Sequence, residues 1–306
     1  MKEFIVSKYE SNLDLKKYIS LKLDANKAFL MIMKRKKLIR INGEHPLDYS
    51  VHLREGDKIS FYINDSYFKS QIVHTPFDII YEDDNIIIID KDSGIMTHSV
   101  LNNHKSLLDL VIKYLMEKGE YIPKNISSFK PQISTRLDLN TKGLLIVSKN
   151  ERTLKLINKL ISNREIKKHY LALVNGIFIK KEGVLLDYSI FDSTKNKLII
   201  HKEKVEGSKE TKTGYKVLNE YQNISKIEID LITGRTHQIR AHFSFYNHEI
   251  IGDKKYGNKS LNDKYNLKYQ ELISYKLIFP STNLEHLSYL KNKEFISKKT
   301  FNLKNI

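Results

Sequence analysis

Residues 136–147 read Arg136-Leu137-Asp138-Leu139-Asn140-Thr141-Lys142-Gly143-Leu144-Leu145-Ile146-Val147, a polar stretch that runs straight into an apolar one. The four apolar residues at its end predict a buried strand. Arg136 and Asp138 stand two apart, so in an extended segment they share one face. Thr141 and Gly143 predict a tight polar turn between the pair and the strand. An acid held on a rigid edge beside a cation is suited to act as a nucleophile or general base. The competing reading is a surface ion pair at a strand end, which is common and contributes little. The rest of the chain decides between the two.

The chain has 306 residues, 52 Lys and Arg against 36 Asp and Glu, and a formal net charge of +16. That length favours about two domains, and that excess of cations favours a polyanionic partner. No apolar stretch approaches the roughly 20 residues of a spanning helix. The start, Met1-Lys2-Glu3-Phe4, lacks a signal-peptide core, so the cytoplasm is the expected compartment. With no cysteine, disulfides and thiolate zinc sites are excluded.

Residues 1–65 read as a small α/β module. Leu15, Tyr18 and Ile19 share helical spacing, as do Ala28, Phe29, Ile32 and Met33. Leu38–Ile41 reads as a strand closed by the hairpin signal Asn42-Gly43, and Gly56-Asp57 marks a turn before a strand over 58–63. Lys27, Lys34, Arg35, Lys36, Lys37 and Arg40 fall between Asp24 and Glu44 with no acid among them. A charge run of this kind is ordinarily a solvated face. Spread over a helix end and a hairpin, it also offers a patch for backbone phosphates. With Leu13-Asp14 at its start and Gly56-Asp57 near its end, the module resembles the alpha-L RNA-binding module. The usual Arg of that module's Arg-Leu-Asp entry is Asn12 here.

A linker is expected over 66–76, ending at Pro76, and a catalytic-size domain over 77–306. Strands are expected over 85–90, 144–148, 170–175, 213–218 and 224–232. Helices are expected over 106–118 and 151–162, the second with Leu154, Ile157 and Ile161 on one face. This mixture predicts an α+β domain on a largely antiparallel mixed sheet.

Four stretches then come together: Ile86 to His98, the opening motif, Lys167 to Gly176, and Leu231-Ile232-Thr233-Gly234-Arg235-Thr236-His237-Gln238-Ile239-Arg240-Ala241-His242 with Ile251 to Gly257 after it. In this order they resemble the RluA-type pseudouridine synthases, from about residue 76 to 280. The resemblance implies the pseudouridine synthase fold. It also implies an isomerase that converts a uridine within RNA to its C-glycoside, with no cofactor or metal. By motif it assigns Asp138 as the catalytic aspartate, Tyr170 as the tyrosine against the target base, and Arg240 as the arginine paired with the aspartate. Arg136 corresponds to the arginine that fills the space left by the flipped nucleotide. With the N-terminal module, it points to the branch that modifies large-subunit ribosomal RNA.

Independent chemistry is consistent with those roles. Unstacking a uridine costs about a few kcal/mol, and an aromatic face contributes about 1–3 kcal/mol of base stacking. A guanidinium favours the ionised form of a neighbouring carboxylate. Taken singly, each residue has a plainer reading: Tyr170 as core, Arg240 as a strand-edge cation, His98 as a structural or RNA-contacting histidine. His237 and His242 invite a metal reading, but i, i+5 misses the helical ligand spacing, and no acid cluster assists. RNA contact is assigned to Arg136, Arg235 and His237, and in the module to Lys34, Arg35, Lys36, Lys37 and Arg40. Three departures from the family pattern stand out: Thr135 in place of His, Asp92 in place of Pro, and Ile273 where His is typical. The expected partner is ribosomal RNA, with tRNA as an alternative substrate, no membrane and a monomeric protein. The rival function is a ribosome-assembly factor that binds RNA without modifying it.

Overall fold

Two strands are buried along their whole length: β5 (Ile86–Lys91) and β7 (Lys142–Ser148). Strands covered on both faces carry continuous rather than alternating hydrophobicity. The computed structural model describes residues 2–23, 30, 33–62, 77–98, 106–121 and 129–302. These fall into two compact units, one from 1–76 and 110–130, the other from 77–109 and 131–306.

In the first unit, β1 (Lys2–Ile5), β2 (Ile39–Ile41) and β3 (Lys58–Phe61) form an antiparallel sheet in the order β1-β3-β2. Helix α1 (Leu15–Leu23) sets Leu15, Tyr18 and Ile19 against Ile39, Ile59 and Phe61, as the helical spacing predicts. Met33 joins this core, whereas Ala28, Phe29 and Ile32 lie outside the described residues, as does the expected linker over 66–76. Asn42-Gly43 does turn the chain, with φ of 51° and 91°, but it closes only an Ile41–Glu44 bridge. The expected hairpin stops there because Pro46 follows and has no N–H to donate. The partner of β2 is β3 instead, and Asn42 fixes that pairing by hydrogen bonds to Asp57 and the Lys58 N–H.

The second unit is built on one large sheet. Its strands are β4 (Asp78–Glu82), β5, β6 (Gln132–Ile133), β7, β8 (Lys167–Asn175), β9 (Glu182–Asp192), β10 (Lys197–His201), β11 (Lys209–Tyr221), β12 (Ile224–Asp230), β13 (Leu272–Ile278) and β14 (Glu294–Ile296). The order is β10-β9-β11-β12-β8-β13-β7-β5-β4, with β14 on β13 and β6 on β7. Among the described strands only β13 and β7 pair in parallel, so the sheet is mixed and largely antiparallel, as expected. Strand β13 is also the seam, since it joins β8 on one side to β7 on the other. Helix α2 (Leu107–Lys118), most of which belongs to the first unit, and helix α3 (Glu151–Ser162) match the expected segments closely. Asn150 caps α3 by accepting from the Thr153 N–H, and Leu156, Ile157 and Leu160 pack on Ile86, Ile88 and Ile146. Helix α4 (Gln238–Phe245) and the short helix α5 (Lys259–Lys264) complete the unit.

Gly143 is not the turn residue that its sequence suggested. It lies within β7 at φ 115°, and a Cβ there would come 2.2 Å from the Ser274 carbonyl oxygen. The turn is made one step earlier, where the Thr141 N–H bonds back to the Asp138 carbonyl. Glycine is needed at 143 so that β7 and β13 can close on each other.

Candidate active site

The segment that ends in β7 supplies the carboxylate, and its loop is pinned from several sides. The Thr97 hydroxyl donates to the Leu137 carbonyl, the Gly94 N–H donates to the Leu139 carbonyl, and Gln270 donates to the Thr141 hydroxyl. Lys91, with no exposed surface, donates from Nζ to the carbonyls of Asp92, Ile95 and Leu139 at 2.9–3.0 Å. Burial lowers its pKa to about 7, against the favourable charges of Asp138 and Asp92. Thr135, the departure from the family histidine, is buried and accepts the Ile146 N–H through its hydroxyl. Asp92 turns outward to Lys299, and Ile273 is buried in β13. None of the three departures is in the cleft lining.

Arg240 comes from α4, which corrects the strand-edge reading. It looked like an edge cation because apolar residues flank it, yet in a helix those neighbours point elsewhere. Arg240 is buried and gives Nε and Nη2 to the two carboxylate oxygens of Asp253, at 2.7 and 2.8 Å. Its Nη1 donates to Asp138 Oδ2 at 2.8 Å. Burial opposes the charge of Arg240, but the hydrogen bonds and charges of Asp253 and Asp138 outweigh it and raise its pKa. Burial alone would raise Asp253, whereas Arg240 and the N–H groups of Tyr256 and Lys255 pull it below its ordinary value. Asp253 therefore holds the guanidinium in a bidentate grip while Arg240 holds one oxygen of Asp138. Sequence reasoning assigned Asp253 no role; its only sequence signal was its place in the Ile251 to Gly257 stretch.

Asp138 is half-buried, and among the described residues its other oxygen, Oδ1, has no hydrogen-bond partner. It does not pair with Arg136, so the ion-pair reading of the opening motif fails. Both residues nevertheless line one cleft of about 1070 Å³, with Arg136 exposed on it. The cleft lining contains eight lysines and arginines, and Asp138 is its only acid among the described residues. Tyr170, on β8, lies in the same lining and is 6% exposed. Burial, with the Asp138 charge, pushes its phenol up to about 12, so it meets the cleft as a protonated aromatic ring.

The histidines separate. His237 lies in the cleft at the start of α4 with φ 60°, its Nε2 4.0 Å from Asp138 Oδ2 and its Nδ1 3.1 Å from the Tyr256 hydroxyl. Burial first, and then Arg240 and Lys255, lower its pKa against the charge of Asp138. His242 is sealed in the core, 2.9 Å from Asp187 and 2.8 Å from Thr213. The two do not converge, and no metal-binding group of three or more ligands occurs among the described residues. His98 lines the cleft, its pKa lowered by burial and by Arg136. Arg235 is half-buried there and donates to the Glu210 carbonyl. In the first unit, Lys34 to Lys37 are exposed, Lys34 lies over Tyr49, and Arg40 lies over Tyr62.

The cleft also contains two residues that sequence reasoning left without a role. Arg164 follows α3 at the position where the chain turns left-handed, with φ 62°. The N–H groups of Arg164 and Glu165 bond to the Ile161 and Leu160 carbonyls, the paired bonds of a Schellman cap. Glycine is usual at that position, and an arginine there costs about 1–2 kcal/mol. Lys168, on β8, shares a face with Tyr170.

A loop carboxylate held by a locked guanidinium, in a cationic cleft with an aromatic wall, suits chemistry on a base carried by a polyanion. The family model described as RNA pseudouridylate synthase matches residues 85–245. This chain belongs to that family. It is an RNA pseudouridine synthase of the RluA type, an isomerase acting on RNA, with the α+β pseudouridine synthase fold. An uncharacterized RNA pseudouridine synthase of Mycoplasma capricolum is 32% identical over 310 residues, 97% of each chain. The ribosomal large subunit pseudouridine synthase D of Nitrosomonas europaea is 34% identical over 189 residues, 60% of this chain and 51% of that one. Among solved structures, human RNA pseudouridylate synthase domain containing 4 superposes with a TM-score of 0.58 at 20% identity. That match covers 76% of this synthase and 93% of the human chain.

Proposed function

We propose that this synthase isomerises uridines of large-subunit ribosomal RNA, with Asp138 as its catalytic carboxylate. The observation that carries the reading is the division of labour on Asp138: Arg240 holds Oδ2 at 2.8 Å while Oδ1 is open to the cleft. A carboxylate fixed on one side and free on the other has a defined direction of approach to substrate. The reaction balances within the substrate: the bond from C1′ to N1 breaks, C1′ bonds to C5, and the C5 proton is exchanged for one on N1. Asp138 acts at the sugar or the base while the uracil turns, and Tyr170 gives the turning base a flat apolar wall. Arg136, exposed on the cleft rim, fills the stack that the uridine leaves. The basic run from Lys34 to Arg40 adds sequence-independent attraction for the RNA backbone.

The ribosomal assignment is supported by the relatives named for the large subunit. The test is carbodiimide–primer-extension mapping of unmodified large-subunit ribosomal RNA and of a tRNA pool, each treated with the protein or with Asp138→Asn. New stops in the ribosomal RNA are expected with the native protein, and a loss of about 10³-fold or more in rate with the variant. Equal stops from both proteins would remove Asp138 from the chemistry, and stops confined to tRNA would overturn the substrate.

A further inference from the structure

We infer that Arg164 and Lys168 together form a subsite for one phosphodiester of the substrate strand, next to the reacting uridine. This rests on the reading of the Asp138 cleft as the catalytic one. Both residues line that cleft, one from the end of α3 and the other from β8. Among the described residues, neither forms an ion pair with a carboxylate, unlike Arg240 in the same cleft. They are close enough that Arg164, after burial, helps to lower the pKa of Lys168 to about 8. Two unpaired cations side by side in a half-enclosed cleft repel each other, and a shared anion removes that repulsion.

The backbone makes an independent case. Arg164 occupies the left-handed position of a Schellman cap, where glycine carries no steric penalty. Its guanidinium Nη1 lies 3.3 Å from where a Cβ on Gly234 would stand, so it reaches across from α3 to the Gly234–Arg240 stretch. A strained residue whose side chain lines the cleft without a hydrogen bond or ion pair among the described residues is placed for a ligand. Lys168 stands two residues before Tyr170 on the same face of β8, so a phosphate held here belongs to a nucleotide adjoining the base on Tyr170. Four other cleft cations are engaged already: Lys255 donates to the Asn196 carbonyl, Arg235 donates to the Glu210 carbonyl, Lys197 lies over Tyr256, and Arg240 is shared by two carboxylates.

The test measures binding of a short fluorescein-labelled oligouridylate against salt, with full-length Arg164→Gly, Lys168→Met and the double variant. All are made in the Asp138→Asn background, so that no turnover occurs. Each single variant is expected to flatten the slope of log K against log salt by about 0.7, the value for one phosphate on a single strand. The double variant is expected to lose no more than either single one, because both cations serve the same phosphate. Lys168→Arg should restore the slope. With Asp138 intact, KM for unmodified large-subunit ribosomal RNA should rise about tenfold in each single variant, with a much smaller change in kcat. Arg164→Gly should melt at the same temperature or higher, since glycine relieves the left-handed position. Unchanged slopes, a doubled loss in the double variant, or a clear drop in the melting temperature of Arg164→Gly would each overturn the subsite. Failure of the catalytic reading appears elsewhere, as turnover that survives Asp138→Asn.

Discussion

Helix α4 carries two acid-centred networks that differ in a single respect. On one side Arg240 bridges Asp253 and Asp138; on the other His242 bonds to Asp187 and Thr213. Both contain an aspartate with no exposed surface. The His242 network lies away from the cleft, although one of its buried oxygens, Asp187 Oδ1, has no hydrogen-bond partner among the described residues. Asp187 Oδ2 also accepts the Tyr246 hydroxyl, Lys202 Nζ stands 3.4 Å from Oδ1, and Gln238 ties Thr213 and Thr233 to the start of the helix. The Arg240 network ends at a carboxylate oxygen that faces the cleft. A buried polar network away from any cleft fixes a structure, whereas one with a free oxygen at a cleft has capacity to spend on substrate. The lesson is that burial and charge alone do not mark a site; an unfilled valence on a cleft does.

The sharpest way to break this contrast is Asp253→Asn. It removes the charge that clamps Arg240, and losing one partner of a buried ion pair costs about 3–5 kcal/mol. Single-turnover isomerisation should fall by about 100-fold, with a clear drop in melting temperature. Retained turnover would mean that Arg240 needs no second acid. Asp187→Asn is the matched change on the side away from the cleft. It should cost about 1–3 kcal/mol of stability through the weakened bond to His242, while kcat of the folded fraction stays within about twofold. An equal loss of kcat would merge the two networks into one.

A smaller effect separates them by pH. Burial lowers the pKa of His242, and Asp187 only partly offsets this. The unfolded chain then takes up a proton at His242 more readily than the folded one. Stability is complete above the ordinary histidine value, near about 6.5, and is lost as pH falls below it towards the depressed folded value. Comparing melting temperatures of the native protein and His242→Gln between about pH 7 and pH 5 should show a shallower fall in the variant. Parallel curves would mean that His242 contributes nothing to acid lability.

The contrast also explains what the sequence made legible. Strands β5 and β7 were readable because continuous isoleucine and leucine admit few other placements, and α3 because its apolar residues keep helical spacing. Helix α4 was not, since Gln238, Arg240 and His242 are polar yet buried. A reading that sends polar residues to the surface finds no apolar stripe there. Long β9, with Val184 and Leu186 exposed and Asp187 and Ser189 buried, inverts the usual alternation and was missed for the same reason. Asp138 and Arg240 were found through their motifs, but the grip of Asp253 was not, because a carboxylate 13 residues from its partner carries no local signal. Gly143 looked like a turn glycine because its real constraint, Ser274, lies far along the chain.

The seam strand has a consequence for synthesis. Strands β4, β5 and β7, which lead to Asp138, and strands β8 to β12, which lead to Arg240, are joined in the sheet by β13. Translation delivers β13 after all of them. Until Leu272–Ile278 has left the ribosome, the two halves of the cleft have no shared strand to hold them in register. A nascent chain that already carries every residue of the acid–guanidinium pair is therefore still not a synthase. The Asp138 and Arg240 halves come into register only once Leu272–Ile278 lies between β7 and β8.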